Sequence, residues 1–183
     1  MSYLLHKSGQ TSRAELIRVS NLSGTTVSAL VNILLDAGFV CETGVGESIG
    51  GRRPITIELN QGFSYFLGVD IGGSHLSGAI INLKGQPVVS QSIPFDVVHN
   101  ARASLLRVWQ MMGELLQEAQ LNQNDLAGVG VAIPTPLSGK NQDQLLAFYM
   151  PDWEGLDVLQ ELKAFGDVPF YLENDANRSE ERR

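Results

Sequence analysis

A glycine-containing turn that could bind a phosphate follows the apolar run Tyr65–Val69. It includes Asp70, Gly72, Gly73 and Ser74. Adjacent glycines allow a tight turn that brings backbone N–H groups against a phosphate, and the serine hydroxyl adds a donor. Asp70 at the strand end could hold a magnesium ion through water. Because a strand and not a helix is predicted next, a dinucleotide-binding glycine fingerprint is excluded. A plain β-turn without a ligand explains the same residues.

A second polar segment follows the predicted strand Val168–Leu172. Asn174 and Asp175 would then lie at the carboxyl end of that strand, where open α/β sheets bind ligands. An aspartate can accept a hydrogen bond from a sugar hydroxyl or act as a general base, and an asparagine can orient a neighbouring hydroxyl. Both residue types are also common in turns and helix caps, so a purely structural role remains open.

Small polar residues at the start of a predicted helix form a candidate DNA-contacting set. One helix is predicted after Ser12 and another from the break at 21–24 to Gly38, which are the proportions of a helix-turn-helix. The start of the second helix would meet base edges and phosphates in the major groove. Its candidate residues are Ser23, Thr25, Thr26 and Ser28. A three-helix scaffold with a polar exposed face would give the same pattern.

Two adjacent arginines lie in a glycine-rich connection between two predicted strands. Arg52 and Arg53 follow Gly50 and Gly51 and precede the alternating apolar pattern of 55–59. The planar fork of arginine suits phosphate or minor-groove contacts. A solvated loop is the alternative interpretation.

Apolar periodicity predicts the elements that must position these residues. Beyond a joint at 60–62, the sequence predicts strands at 65–70, 76–83, 88–95, 127–133 and 168–172 and helices at 100–120 and 156–165. Three hairpin-linked strands followed by helix, strand, helix and strand indicate a mixed α/β sheet with helices on its faces.

Composition supports a folded protein whose two parts differ in charge. The 183 residues are 43% hydrophobic and 18% charged, which argues against disorder. The formal net charge is −7, but residues 1–60 balance five basic against five acidic side chains. The acidity belongs to the second part, so it does not exclude DNA binding by the first.

Several classes of protein are excluded or not expected. The single cysteine, Cys41, excludes a disulfide framework or a cysteine-rich zinc site, and His6, His75 and His99 lack metal-ligand spacing. We therefore expect no metal site. No apolar run approaches the roughly 20 residues that cross a membrane, and the N-terminus lacks a signal-peptide pattern. A cytoplasmic protein without a membrane partner is expected.

As an ordered set, these motifs resemble the ROK family, named for repressors, open reading frames and sugar kinases. The segments 12–16 and 22–28 resemble the helix-turn-helix of the family's repressors, and 50–54 resembles their wing. The segment 67–74 is similar to the family's phosphate loop, with Ser74 where threonine is usual. The segment 173–177 is similar to its sugar-site motif, in which the aspartate, here Asp175, is the catalytic base of the kinases.

The resemblance implies a two-domain regulator. It implies a winged helix-turn-helix at 1–60, joined at 61–183 to the first half of an actin-like ATPase (ribonuclease H-like) domain. A sugar or sugar phosphate would alter dimer geometry and hence affinity for a double-stranded DNA operator. The expected function is a sugar-responsive repressor of carbohydrate metabolism genes, a homo-oligomer without enzyme activity or cofactor.

Two alternatives remain open. Because the family continues well past the Asn-Asp motif, the resemblance leads us to expect a truncated regulator. The first alternative is a fragment of a sugar kinase that uses ATP, with Asp175 as base, and the second is a non-functional remnant. The helix-turn-helix counts against the kinase, since the family's kinases begin directly at the phosphate loop.

Overall fold

The chain forms two units, which are described here in turn. The computed structural model describes residues 9–45, 54–133, 137–138, 144–145 and 151–174. The first unit contains the described residues up to Phe63 and the turn Leu83–Gly85, and the second contains the others. Within the described residues, no helix is both long and apolar enough to cross a membrane.

The first unit consists of two helices and a three-stranded antiparallel sheet. Its elements are β1 (Gln10–Ser12), α1 (Arg13–Ser20), α2 (Gly24–Asp36), β2 (Val40–Val45) and β3 (Ile55–Leu59). The strand order is β1-β3-β2. The sequence did not predict β1, a strand of three residues that is too short to show an alternating pattern.

Serine caps fix where both helices of this unit begin. The Ser12 hydroxyl accepts a hydrogen bond from the Glu15 N–H, as the sequence predicts. After α2, Gly38 takes a φ of +75°, a left-handed conformation that favours glycine. The chain can then turn directly into β2. The core of the unit consists of Leu16, Val27, Val31, Val40, Ile57 and Leu59.

The Glu58 carboxylate on β3 is held by two donors within this unit. Lys84 Nζ lies 2.9 Å from one oxygen, and Gln10 Nε2 donates to the other at 3.2 Å. The hydrogen bond from Lys84 is the main cause that holds the pKa of Glu58 below its ordinary value of 4.5. The ionised form is therefore favoured by folding.

We expect acid to destabilise the first unit through Glu58. Because the folded pKa is lowered, the stabilisation is complete above about pH 4.5 and is lost as the pH falls through the folded value. Glu58→Gln should cost about 1 kcal/mol at pH 7 and remove this part of the pH dependence. Urea unfolding at several pH values measures it. Asp36→Asn, at an exposed carboxylate, is the control; equal pH profiles for the parent and Glu58→Gln would contradict the prediction.

The second unit is built on a mixed five-stranded sheet. Its larger elements are β4 (Tyr65–Ile71), β5 (His75–Asn82), β6 (Pro87–Pro94), α3 (Ala101–Ala119), β7 (Leu126–Ile133), α4 (Val158–Lys163) and β10 (Phe170–Asn174). Two short strands, β8 (Leu137–Ser138) and β9 (Gln144–Leu145), pair with each other. The sheet order is β10-β7-β4-β5-β6, with β4, β7 and β10 parallel and the hairpins antiparallel.

Both described helices of this unit pack on the same face of the sheet. The apolar stripe of α3 and the α4 residues Val158 and Leu162 belong to one core cluster with the inward side chains of β4 and β7. At Gly78 on β5, an added Cβ would lie 2.8 Å from Leu115 Cδ1 of α3, so a larger residue there would require the buried leucine to shift. The sequence predicts helices on the faces of the sheet, and among the described residues the apolar stripes of both α-helices meet in one core on a single face.

A buried tryptophan anchors the segment before α4. Trp153 is fully buried, and its indole N–H donates to the Val97 carbonyl at 2.9 Å. Next to it, the Asp152 carboxylate accepts a hydrogen bond from the Asn100 N–H at 2.7 Å. Asn100 caps α3, so these bonds connect that helix start to a segment about 50 residues later.

Candidate functional sites

The start of α2 is exposed, and its hydroxyl groups are mutually bonded. Ser23 Oγ accepts the Thr26 N–H at 3.1 Å and lies 2.8 Å from the Thr26 hydroxyl. Ser23 therefore serves as the helix cap. Thr25 and Thr26 are exposed, as a DNA-contacting role requires, whereas Ser28 is half-buried.

The face of α2 opposite the core includes residues that the sequence analysis missed. Val27 and Val31 are buried, while Thr25, Ala29 and Ile33 lie together on the opposite side, with Ile33 61% exposed. Residues four positions apart share a helix face, so counting from Thr25 would have found the other two. An apolar side chain on such a face can contact a thymine methyl group.

The two arginines lie outside the described residues. Strand β2 ends at Val45 and β3 begins at Ile55, and these two residues pair. Arg52 and Arg53 therefore belong to the connection between paired strands. Their role in DNA binding stays a prediction.

The predicted phosphate turn of the second unit is a tight hairpin. The Gly72 N–H donates to the His75 carbonyl at 2.9 Å, which leaves Gly73 and Ser74 exposed at the tip. An added Cβ at Gly72 would collide with the His75 imidazole, so any larger residue there would require that half-exposed ring to move. Of the two glycines, only Gly73 retains an N–H without a partner in the described part of the chain. The idea that both glycines bind a phosphate through their N–H groups does not fit this turn.

Asp70 faces a histidine at the base of this turn. Its carboxylate Oδ2 lies 3.6 Å from His75 Nε2, and both side chains are about half exposed. Nothing in the spacing of the two residues predicts this contact, because it depends on the hairpin pairing. In the described ranges, no group of three or more His, Cys, Asp or Glu side chains is arranged to hold a metal ion.

The parallel strands place Asn174 and Asp70 at the same edge of the sheet. Asp70 pairs with Ala132, and Asn174 pairs with Ile133, the next residue of β7. Adjacent strands lie about 4.8 Å apart, so the two backbone positions are separated by roughly 10 Å. Asn174 was expected after the strand, but it is paired within it because β10 begins two residues later than predicted. Asp175 lies outside the described residues.

The face of the sheet opposite the helices contains a shallow cleft of about 450 Å³. Its floor is bare because Gly68 and Gly130 carry no side chains, and an added Cβ at either would meet nothing within 4 Å. The polar side chains that line the cleft include those of Asp70, Ser77 and Glu173. Carboxylates and a hydroxyl can bind sugar hydroxyls. Ser77 and Glu173 were not predicted from the sequence, since only strand pairing shows that they share a face with Asp70.

A known protein family matches most of the second unit. The ROK family model matches residues 66–181. The chain belongs to the ROK family. The match includes the turn at Asp70–Ser74 and the edge at Asn174, and it confirms the resemblance drawn from the motifs.

Relatives of this ROK chain extend the similarity to the first unit. It is 26% identical over 185 residues to the xylose repressor of Bacillus subtilis (strain 168), covering 93% of this chain and 44% of the repressor. A ROK family transcriptional regulator, described as a homologue of the E. coli MLC protein, has a similar structure. That likeness has a TM-score of 0.65 and 24% identity, covering 95% of this chain and 44% of the regulator.

A ROK family glucokinase from Streptomyces griseus, solved with glucose and AMPPNP, covers a smaller part. Its TM-score is 0.51 at 18% identity, with 64% of this chain and 35% of the glucokinase covered. These likenesses show the α/β fold of ROK proteins. The chain spans less than half the length of the curated repressors it matches.

Proposed function

We propose that this chain carries the DNA-binding unit and the first part of the sugar-binding domain of a sugar-responsive transcriptional repressor. The observation that carries the proposal is the exposed face of α2 at Thr25 and Ala29, on a unit that the repressor match also covers. The match to the xylose repressor includes more than nine tenths of the chain, whereas the glucokinase likeness covers under two thirds. The first unit is therefore what separates this chain from a ROK kinase.

In this proposal, residues 1–60 form a winged helix-turn-helix. Helix α2 enters the major groove, Thr25 and Thr26 contact base edges or phosphates, and Ser28 supports them from its half-buried position. Ser23 contributes by capping the helix. Arg52 and Arg53 form the wing tip and bind phosphates or the minor groove.

Residues 61–183 form the first half of an actin-like domain that binds the effector. Asp70, Asn174 and Asp175 accept hydrogen bonds from a sugar, and Gly73 and Ser74 donate to a phosphate if the sugar carries one. The name of the relatives makes xylose the first effector to test. We propose a homo-oligomer whose geometry, and therefore DNA affinity, changes when the sugar binds.

We expect the double substitution Arg52→Ala and Arg53→Ala to weaken binding to every duplex, because phosphate contacts carry no sequence information. The slope of log affinity against log salt should become shallower by roughly one to two units. Fluorescence anisotropy at several salt concentrations measures both effects. Replacing Arg102 and Arg107, two arginines of α3 in the second unit, by Ala removes the same charge and is the matched control. An unchanged slope in the Arg52 and Arg53 variant would contradict the wing assignment.

A sugar kinase is the second candidate, favoured by Asp70 with its glycine turn and by the fold shared with a glucokinase. Phosphoryl transfer requires that nucleotide and sugar be held together, and this chain spans 35% of that enzyme. We expect the 183-residue chain with magnesium ATP and common hexoses or xylose to give no turnover above background in a coupled assay. Turnover that Asp175→Asn abolishes would contradict the prediction and establish the kinase reading.

A further inference from the structure

A hydrogen-bonded arginine and asparagine join the two helices of the first unit. Arg13 Nη1, at the first turn of α1, donates to Asn32 Oδ1 of α2 at 2.9 Å. The other terminal nitrogen of the guanidinium lies 3.4 Å from the Glu42 carboxylate on β2. Both arms of the arginine fork are therefore occupied, and its charge is partly neutralised by Glu42.

Asn32 lies on the exposed face of α2. Seven residues after Thr25, it is two turns further along and rotated by only about 20°. The distance along the helix axis is roughly 10 Å, which corresponds to about three base-pair steps. A helix that places Thr25 in the major groove can therefore bring Asn32 to a base edge of the same site.

The contact with Arg13 fixes which way the Asn32 amide points. Arginine has only donors, so the oxygen of the amide must face it and the NH₂ group must face outward. A free asparagine recognises adenine by using its oxygen and its NH₂ together, but here the oxygen is engaged. Asn32 can offer only donors to DNA. Guanine offers two adjacent acceptors at the major-groove edge, O6 and N7, and thymine offers O4, whereas adenine offers N7 beside an amino group that repels a second donor. Guanine and thymine are therefore the bases that fit best.

We propose that Asn32 is a specificity-determining residue that selects guanine or thymine at one operator position, and that Arg13 is the positioning residue that prevents the two-bond recognition of adenine. The inference rests on the proposed DNA-binding function and names the base class that α2 reads. If Arg13 and Asn32 only hold the two helices together, their replacement changes stability and leaves base preference unchanged.

The test is a selection of bound duplexes from a randomised pool by the full chain and its variants. The parent should favour guanine or thymine at one position by about five- to a hundredfold over adenine, the range of a good base contact. Asn32→Ala should reduce that ratio to near one at this position alone. Asn32→Asp keeps the bond to Arg13 but offers an acceptor, so the preference should move to the amino group of cytosine or adenine.

Arg13→Met tests the other partner of the hydrogen bond. It retains the aliphatic stem and frees the amide of Asn32, so adenine should become the favoured base at the same position. Arg18→Met, on the same helix α1 but paired with Glu15, removes an identical group and should leave every base preference unchanged. Melting temperatures of all variants establish that they remain folded.

The outcomes separate the two proposals. If the parent selects no sequence, the proposed DNA-binding function fails, and this inference fails with it. A second outcome is that the parent selects a sequence but the variants Asn32→Ala, Asn32→Asp and Arg13→Met show the same base preferences as the parent. In that case only the inference is overturned. A change of preference at one position in Asn32→Asp and Arg13→Met, in the two directions given, supports it.

Discussion

A glutamate in place of Ala29 is expected to lower the affinity for duplex DNA about a hundredfold or more without lowering the melting temperature. Ala29 is exposed on the face of α2 opposite the core, so the longer side chain meets no protein atoms that must move. In the major groove, the new carboxylate would lie among phosphates and base acceptors. Like charges brought together at an interface cost several kcal/mol, and about 3 kcal/mol corresponds to roughly a hundredfold.

A control variant separates a local effect on DNA affinity from the effect of a change in net charge. Gln110→Glu, at an exposed position of α3 in the second unit, changes the formal charge by the same amount. We expect it to alter affinity less than threefold at 0.15 M salt, where the Debye length is about 8 Å. Anisotropy titrations measure both variants, and equal losses would show that α2 does not enter the groove.

The second large effect concerns the two tryptophans of the second unit. Trp153→Phe should reduce the free energy of unfolding by about 2–3 kcal/mol, because the buried Val97 carbonyl loses its donor and the smaller ring leaves a void. Trp109 offers a matched comparison. Its indole nitrogen is buried and has no hydrogen-bond partner in the described part of the chain. Trp109→Phe also removes ring volume but breaks no hydrogen bond, so it should destabilise clearly less than Trp153→Phe.

Urea unfolding followed by circular dichroism compares the two substitutions under identical conditions. They remove the same atoms from the same residue type, so the difference between them reports the hydrogen bond and the fit of each ring. If Trp109→Phe proves as destabilising as Trp153→Phe, the bond to Val97 does not contribute as described.

Features that depend on neighbouring residues were predictable from the sequence. Ser12 and Ser23 precede apolar residues at helical spacing, and in the structure both cap the helices that follow them. The glycine at 38 similarly marks the end of α2. Each of these signals works within four or five residues, which is the range over which helix and turn chemistry acts.

Features that depend on distant pairing could not be predicted. The position of Asn174 within β10 depends on its pairing with β7, about 40 residues earlier. The contact of Arg13 with Asn32 requires the packing of α1 on α2, and no local sequence pattern predicts this contact. Helices were predicted at 100–120 and 156–165, but only their shared core shows that they cover one face.

The register of the parallel strands also determines which sequence changes the candidate sugar site can tolerate. Asp70 and Asn174 are about 100 residues apart in the chain, yet hydrogen bonding to β7 alone brings them to one edge. Residues inserted into the connection between β7 and β10, away from the buried Trp153 and from α4, should leave that alignment intact, because loops tolerate changes in length. A single residue inserted within β7 would move every later side chain of that strand to the opposite face. Comparisons among ROK sequences should therefore find length variation confined to the connections, while the strands that carry the site keep a constant length.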